Sequence, residues 1–141
     1  MFKNLFKKEK KENLINENVL IVALLIHAAK IDENYSDIEK KIIIKAIMHL
    51  KKINMEEAEK LIKLAEKKEE ESNQIVEFTK EVKKYSMEFR LKIIEIIWKI
   101  VYSDGTSDNY ESNLIRRICG LLYVSDKDNG IIKTKVKDLL K

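Results

Sequence analysis

The chain has 141 residues, of which 28 are Lys or Arg, 24 are Asp or Glu, and 45% are hydrophobic. This length and apolar content suit one globular domain and exclude two compact domains or a chain disordered throughout. Because the sequence has no Pro and only 3 Gly, it offers few residues for tight β turns, which disfavours a sandwich or barrel and favours an all-α fold. Acidic residues are interleaved with the basic ones, so the net charge of +4 does not by itself indicate a nucleic-acid partner.

The first predicted element is a basic amphipathic arm, residues 1–11, whose Phe and Leu side chains share one helical face. Residues 12–141 are predicted to form a single helical domain. Its first helix should run over about residues 12–30 and end at a polar break over 32–35. The side chains expected to face the core from this helix are Leu14, Val19, Leu20, Ala23, Leu24, Ile26 and His27.

Six further helices are predicted from N-cap signals ahead of apolar stretches with helical spacing. Several of these N-cap residues have an acid three positions later, which is typical of a capping box. Seven helices joined by short connections predict a compact bundle. The predicted N-caps are Ser36, Asn54, Ser72, Ser86, Asp108 and Ser125.

The longest uninterrupted apolar run extends from Val19 to Ala29 and includes His27. It is shorter than a bilayer span, and the N-terminus has no signal-peptide pattern. The single Cys119 cannot form an internal disulfide and fits a reducing compartment. We therefore expect a cytoplasmic protein, with a peripheral contact at the inner face of the membrane left open for residues 1–11.

The chain resembles itself at an offset of 72 residues. In each copy an apolar helix leads into a short loop that opens with Asp, and a second helix begins four residues later. The repeat predicts two related helix-loop-helix halves. The aligned pairs are Asp32 with Asp104, Ser36 with Asp108, Glu39 with Glu111, and Ile42 and Ile43 with Leu114 and Ile115.

The acids of the two loops are the candidate metal ligands. Asp104, Asp108 and Glu111 offer the oxygen donors that hard cations such as Ca²⁺, Mg²⁺ and Mn²⁺ prefer. The first loop offers two acids, Asp32 and Glu39, so we expect it to bind a divalent cation more weakly. The twelve-position ligand series of an EF-hand is absent, so any metal site is of another kind.

Helix capping is the competing explanation for these acids. The Ser/Glu and Asp/Glu pairs at the two helix starts each fit a capping box that needs no cation. Capping does not account for Asp32 and Asp104, which follow the preceding helices, where the helix dipole disfavours a negative charge. An Asx turn onto loop amides would account for them.

No catalytic residue is indicated. His27 and His49 lie outside any Glu-x-x-His pair and are expected to be hydrogen-bonded packing residues, while Cys119 and Trp98 are expected in the core. The sequence has no Gly-rich phosphate loop, paired nucleophile and base, or zinc-ligand spacing. Arg116–Arg117 and the C-terminal lysines are expected on a solvated helix face, since no recognition-helix or aromatic stacking pattern accompanies them.

The register from Ala29 through Asp32 to Glu39, repeated from Tyr102 to Glu111, resembles the TerB-like tellurite-resistance family. The family pattern is roughly Ala-Asp-Gly-x-hydrophobic-Asp-x-x-Glu after an apolar helix, present twice, and the resemblance covers about residues 12–130. It implies an all-helical domain of two related halves, associated with bacterial responses to tellurite and other stresses, with metal-binding acids and no established catalysis. The acids carried over are Asp32 and Glu39 in the first copy and Asp104, Asp108 and Glu111 in the second.

The first copy departs from the family pattern, because Glu33 replaces the expected Gly and Ser36 the expected Asp. Our leading hypothesis is a non-enzymatic stress-response module that binds a divalent cation or a protein partner through the two acidic loops. The alternative is a structural adaptor whose acids only cap helices and which docks to a membrane surface or partner helix through residues 1–11. A metal-dependent hydrolase has only the carboxylates in its favour, and no nucleic-acid partner is expected.

Overall fold

The computed structural model describes residues 2–32, 35–72, 74–104 and 109–139. These residues form an all-α bundle, as the sequence predicts, and the predicted count of seven α-helices is found within them, together with two short 3-10 turns. The helices are α1 (Phe2–Ala29), α2 (Asp37–Lys51), α3 (Met55–Glu71), α4 (Ile75–Val82), α5 (Met87–Val101), α6 (Asn109–Leu121) and α7 (Asp126–Leu139), and the turns are Lys30–Asp32 and Tyr102–Asp104.

The second half of α1 is the central element of the bundle. It packs against α2, α3, α4, α5 and α6, and its side chains from Ile21 to Ile26 are all buried. An apolar helix surrounded by partners on every side needs no polar face, which explains why this stretch reads as a continuous apolar run. The predicted core positions are confirmed here except Leu14, which is 53% exposed, and Leu20 and His27, which are half-buried.

α1 begins at Phe2, well before the predicted start near residue 12. From Lys7 to Ala29 it is long and apolar enough to cross a membrane, and just over half of that stretch is buried in the bundle. The uninterrupted apolar run from Val19 to Ala29, which is too short for a span, is only part of this stretch, because polar and charged residues precede it in the same helix. Burial within the bundle accounts for the apolar character of the second half without any bilayer.

α5 is the second apolar helix and packs against α1, α2, α6 and α7. Trp98 is buried as predicted, and its indole Nε1–H donates a 2.9 Å hydrogen bond to Asn129 Oδ1 on α7. Cys119 on α6 is also buried, which confirms its predicted core position. Its burial, aided by the charge of Asp126, raises the pKa of this thiol to about 12.

Predicted caps position most helix starts. Asn54 accepts the backbone N–H of Glu57, and Ser86 and Ser125 accept those of Phe89 and Asp128. Such caps satisfy N–H groups that have no partner within the helix. The fourth helix differs from the prediction.

The predicted cap of the fourth helix, Ser72, is wrong. α4 begins at Ile75 behind Gln74, which makes no side-chain cap. The backbone N–H of Ser72 instead donates to Lys68 O at the end of α3. The Ser72 hydroxyl donates a 2.8 Å bond to Glu77 Oε2, so this residue closes one helix rather than opening the next.

Candidate functional site

The first acidic loop joins two elements with defined ends. α1 ends at Ala29 and passes into the 3-10 turn Lys30–Asp32. Ser36 caps α2: its Oγ accepts the backbone N–H of Glu39 at 3.2 Å, and Glu39 Oε1 accepts the backbone N–H of Ser36 at 3.0 Å. The predicted capping box is therefore confirmed, and Glu39 is 7% exposed.

A second carboxylate approaches this loop from α3. Glu66 Oε1 lies 3.0 Å from Lys40 Nζ on α2. Tyr35, just before the cap, has a buried hydroxyl with no hydrogen-bond partner among the described residues. Burial raises the pKa of Tyr35 well above its usual value, and the nearby charges of Glu66 and Glu39 raise it further. The charges of two carboxylates from different helices thus act on one phenol at the first loop.

Sequence reasoning missed Glu66, and little in the sequence singles it out. It is one of many acids in α3, a helix rich in Lys and Glu. What selects it is the packing of α3 against α2, which only the folded chain shows.

A buried ion-pair cluster lies at the end of α1 next to the same loop. Glu69 on α3, 6% exposed, accepts a 2.7 Å bond from Lys30 Nζ, and its other oxygen is 3.3 Å from His27 Nδ1. The His27 and Phe78 rings lie in an edge-to-face arrangement, with the ring centroids 6.3 Å apart. The prediction of a hydrogen-bonded packing role for His27 is confirmed. Glu69 follows Ala58, Ile62 and Ala65 on the buried face of α3, a spacing that was visible in the sequence.

The second acidic loop is described only at its edges. α5 ends at Val101, the turn Tyr102–Asp104 follows, and α6 begins at Asn109. In the turn, the Ser103 hydroxyl donates a 2.6 Å bond to Ile100 O, and the Tyr102 ring stacks on Trp98 at 5.5 Å between centroids.

Most of the predicted metal ligands cannot be placed. Asp108 lies outside the described residues, and so do the side chains of Asp32, Asp104 and Glu111. Among the side chains that the structure does describe, no three His, Cys, Asp or Glu residues come together as a metal site. Of the five predicted ligands, only Glu39 has a described side chain, so the metal site stays a prediction.

The element boundaries of the two loop regions are spaced by the offset of the sequence repeat. The 3-10 turns lie at residues 30–32 and 102–104, and the helices that follow begin at Asp37 and Asn109. Both spacings are 72 residues. Superposition of the two halves stays a prediction.

One predicted packing residue is wrong: His49 is exposed rather than packed. It lies on α2 at the rim of a cleft of about 540 Å³ that α2 shares with α5 and α7. The missed signal is the position of His49 beside Lys45 on the polar face of α2. Arg116 and Arg117 are exposed, as expected for a solvated helix face.

Comparison with known proteins gives one match. The family described as Tellurite resistance protein TerB matches residues 18–134. This match covers most of the chain, including both acidic loops, the helices α2 to α6 in full, and parts of α1 and α7. No curated protein and no solved structure matches the chain at the significance required.

Proposed function

The chain belongs to the TerB family of tellurite-resistance proteins, and from this membership we propose that it is a non-enzymatic stress-response module. In this proposal its two acidic loops bind a divalent hard cation, Ca²⁺, Mg²⁺ or Mn²⁺, or present such a charged site to a protein partner. Carboxylate oxygens are the donors these cations prefer. Each loop follows one of the two apolar helices at the centre of the bundle, the first loop after α1 and the second after α5.

The observation that carries the proposal is a second carboxylate beside the capped start of α2, since Glu66 Oε1 of α3 lies 3.0 Å from the ammonium of Lys40, the residue after Glu39. Capping accounts for Ser36 and Glu39, since their reciprocal bonds satisfy the start of α2. Capping does not account for Glu66, which belongs to another helix and takes no part in the box. A divalent cation takes several oxygen ligands, and Glu66 brings a carboxylate from α3 to the loop that Glu39 borders, in addition to its pairing with Lys40.

The charges around Glu66 also favour the second loop as the stronger site. The Lys40 ammonium, 3.0 Å from Glu66 Oε1, competes with a divalent cation for this carboxylate. The second loop carries three acids, Asp104, Asp108 and Glu111, against the two of the first loop. More carboxylates give a higher affinity for a hard divalent cation.

Calorimetric titration of the metal-free protein with Ca²⁺, Mg²⁺ and Mn²⁺ tests the proposal. We expect Asp104→Asn, which leaves the predicted cap of α6 intact, to weaken binding at least tenfold, and Asp32→Asn to weaken it less. Glu59→Gln on the exposed surface of α3 is the matched control and should leave the affinity unchanged. No measurable affinity at millimolar cation, or an unchanged affinity in Asp104→Asn, would contradict cation binding and leave helix capping and turns as the roles of the loop acids.

A second candidate function, docking through the start of α1, is supported by the exposure of that segment. Leu5, Leu14 and Ile15 are 62%, 53% and 40% exposed, and Lys7 and Lys8 are exposed among them. Each Lys near an anionic membrane contributes about 1 kcal/mol to binding, and the apolar side chains add burial in the headgroup region.

Liposome co-sedimentation at low and high salt, with and without residues 1–11, tests this adaptor function. Binding to anionic vesicles should fall at high salt and be lost on deletion. Binding that is absent, insensitive to salt, or equal after deletion contradicts membrane docking. A pull-down comparing the full-length and truncated chains then tests docking to a partner helix.

A further inference from the structure

An apolar cleft lies on the side of the bundle formed by α2, α5 and α7. Both α2 and α7 pack against α5, and the cleft has a volume of about 540 Å³. That volume is within the usual range of ligand sites in proteins. We call it the cationic cleft. Its apolar lining consists of Ile42, Ala46, Leu50, Ile96, Val136 and Leu139, and its charged or titratable lining consists of Lys45, His49, Lys92, Glu95 and Lys99.

Among the described residues, the lining of the cationic cleft carries more positive than negative charge. Lys45, Lys92 and Lys99 are exposed, and within the described part of the chain none of them forms an ion pair. The lining carboxylate, Glu95, is already paired with Lys135 at 2.9 Å. The cleft therefore offers an apolar floor beneath ammonium groups whose charge is available to an anionic occupant.

The positions of the lysines along α5 favour an elongated occupant. Lys92 and Lys99 are seven residues apart on α5, so their backbone positions lie about 10 Å apart along the helix axis. A single carboxylate headgroup, as on a fatty acid, would have to draw both flexible side chains to one point, whereas two anionic groups at that spacing pair with each lysine where it stands. The occupant that matches the cleft carries at least two anionic groups about two helical turns apart, on the edge of an apolar surface.

We propose that the cationic cleft binds an acidic amphipathic helix of a partner protein. Such a helix places apolar side chains at positions i, i+3, i+4 and i+7 on the floor of the groove. Carboxylates on its flank, seven positions apart, then face Lys92 and Lys99, while Lys45 on α2 adds a third ammonium group to the lining. Charge complementarity of this kind accelerates association and sets the orientation of the helix. The inference needs no cation at the acidic loops, so the two proposals fail independently.

Titration of the ¹⁵N-labelled chain with a synthetic helical peptide tests the inference by NMR. The probe has about four turns, Leu on one face and Glu at seven-residue spacing on the flank. A control peptide keeps the Leu face and replaces Glu by Lys. We expect amide shifts in α2, α5 and α7 that saturate with the Glu peptide, with an affinity at least tenfold higher than for the Lys peptide.

Variants of the chain separate the cleft from general charge attraction. Lys92→Glu with Lys99→Glu should weaken binding of the Glu peptide at least tenfold. Lys63→Glu with Lys67→Glu makes the same charge change on exposed positions of α3 and should leave binding within twofold. Ala46→Phe fills the cleft floor without changing charge and should also weaken binding, which keeps the test informative if the double variant fails to fold.

Four results would overturn the inference. The first is no saturable shift with the Glu peptide at millimolar concentration, and the second is equal affinity for the Glu and Lys peptides. The third is tighter binding of dodecanoate than of the Glu peptide at the same amides, which would make the occupant a small amphiphile. The fourth is reversible dimerisation of the chain that Lys92→Glu with Lys99→Glu abolishes, since the occupant would then be a second copy.

Discussion

The variant Glu39→Gln separates helix capping from cation binding at the first loop. Glutamine at this position retains an oxygen that can accept the Ser36 N–H, now a 3.0 Å bond to Glu39 Oε1, and Gln serves in capping boxes as Glu does. The change removes a negative charge near a helix N-terminus, worth about 0.3–1 kcal/mol. We therefore expect the free energy of unfolding without cation to fall by about 1 kcal/mol or less.

Adding cation should change the free energy of unfolding by more than the substitution itself does. A cation present at 100 times its dissociation constant stabilises the folded parent by about 2.7 kcal/mol. If Glu39 is a ligand, a tenfold loss of affinity in Glu39→Gln removes about 1.4 kcal/mol of this stabilisation by the cation. The matched variant Ser36→Ala loses the 3.2 Å bond from the Glu39 N–H, which costs about 1 kcal/mol. It retains the carboxylate, so its cation increment should equal that of the parent.

Urea denaturation of the three proteins, with and without excess Ca²⁺, Mg²⁺ or Mn²⁺, measures both effects. The cation increment of each protein is the difference between its two free energies of unfolding. An increment in Glu39→Gln equal to that of the parent would show that Glu39 does not bind the cation. A loss above about 2 kcal/mol without cation in Glu39→Gln would show that the carboxylate has a structural role beyond the cap.

Three further predictions concern the bundle itself. Glu69→Gln should lower the free energy of unfolding by about 1–2 kcal/mol, because the buried Glu69 pairs with Lys30 at 2.7 Å and the partial solvation of Lys30 reduces the loss. In the same urea titration, the control Glu70→Gln on the exposed side of α3 should change that free energy by less than about 0.5 kcal/mol. Because burial raises the pKa of Cys119 from 9.0 to about 12, its thiolate fraction at pH 8 is on the order of 1,000-fold below that of an ordinary thiol. Ellman's reagent should therefore react quickly with Cys119 only in urea, and a fast reaction with the native chain would contradict this burial. Deleting residues 1–11 should leave the free energy of unfolding within about 1 kcal/mol of the parent, since the side chains described there are exposed, and a larger loss would place that segment in the folded core.

Helix positions followed from the sequence wherever local chemistry determines them. Ser36, Asn54 and Ser86 cap helices as predicted, because an N-cap needs only its own oxygen and N–H groups two or three residues later. Leu14 shows the limit of this reasoning. Helical spacing identifies the face on which it lies, but the bundle ends before it, and spacing carries no information about what lies opposite.

The candidate site was less accessible to sequence reasoning, because its components come from separate helices. Glu66 reaches the first loop through the packing of α3 on α2, and neither its neighbours nor its spacing distinguishes it from other acids of α3. The cationic cleft likewise depends on how α2 and α7 sit on α5. The error at His49 is of another kind, since the polar face of α2, which His49 shares with the exposed Lys45, already indicated exposure.

Because α1 is one continuous helix, its basic start is rigidly connected to the bundle rather than joined to it by a flexible linker. Twenty-eight residues in one helix form a rod of about 42 Å, and its second half is fixed inside the bundle. A molecule bound near Leu5 would therefore be held at a set distance and a set angle from the core. Inserting one Ala after Glu17 would turn the free half by about 100° and move it by about 1.5 Å, so its apolar face would point elsewhere while the composition of the segment stayed almost the same.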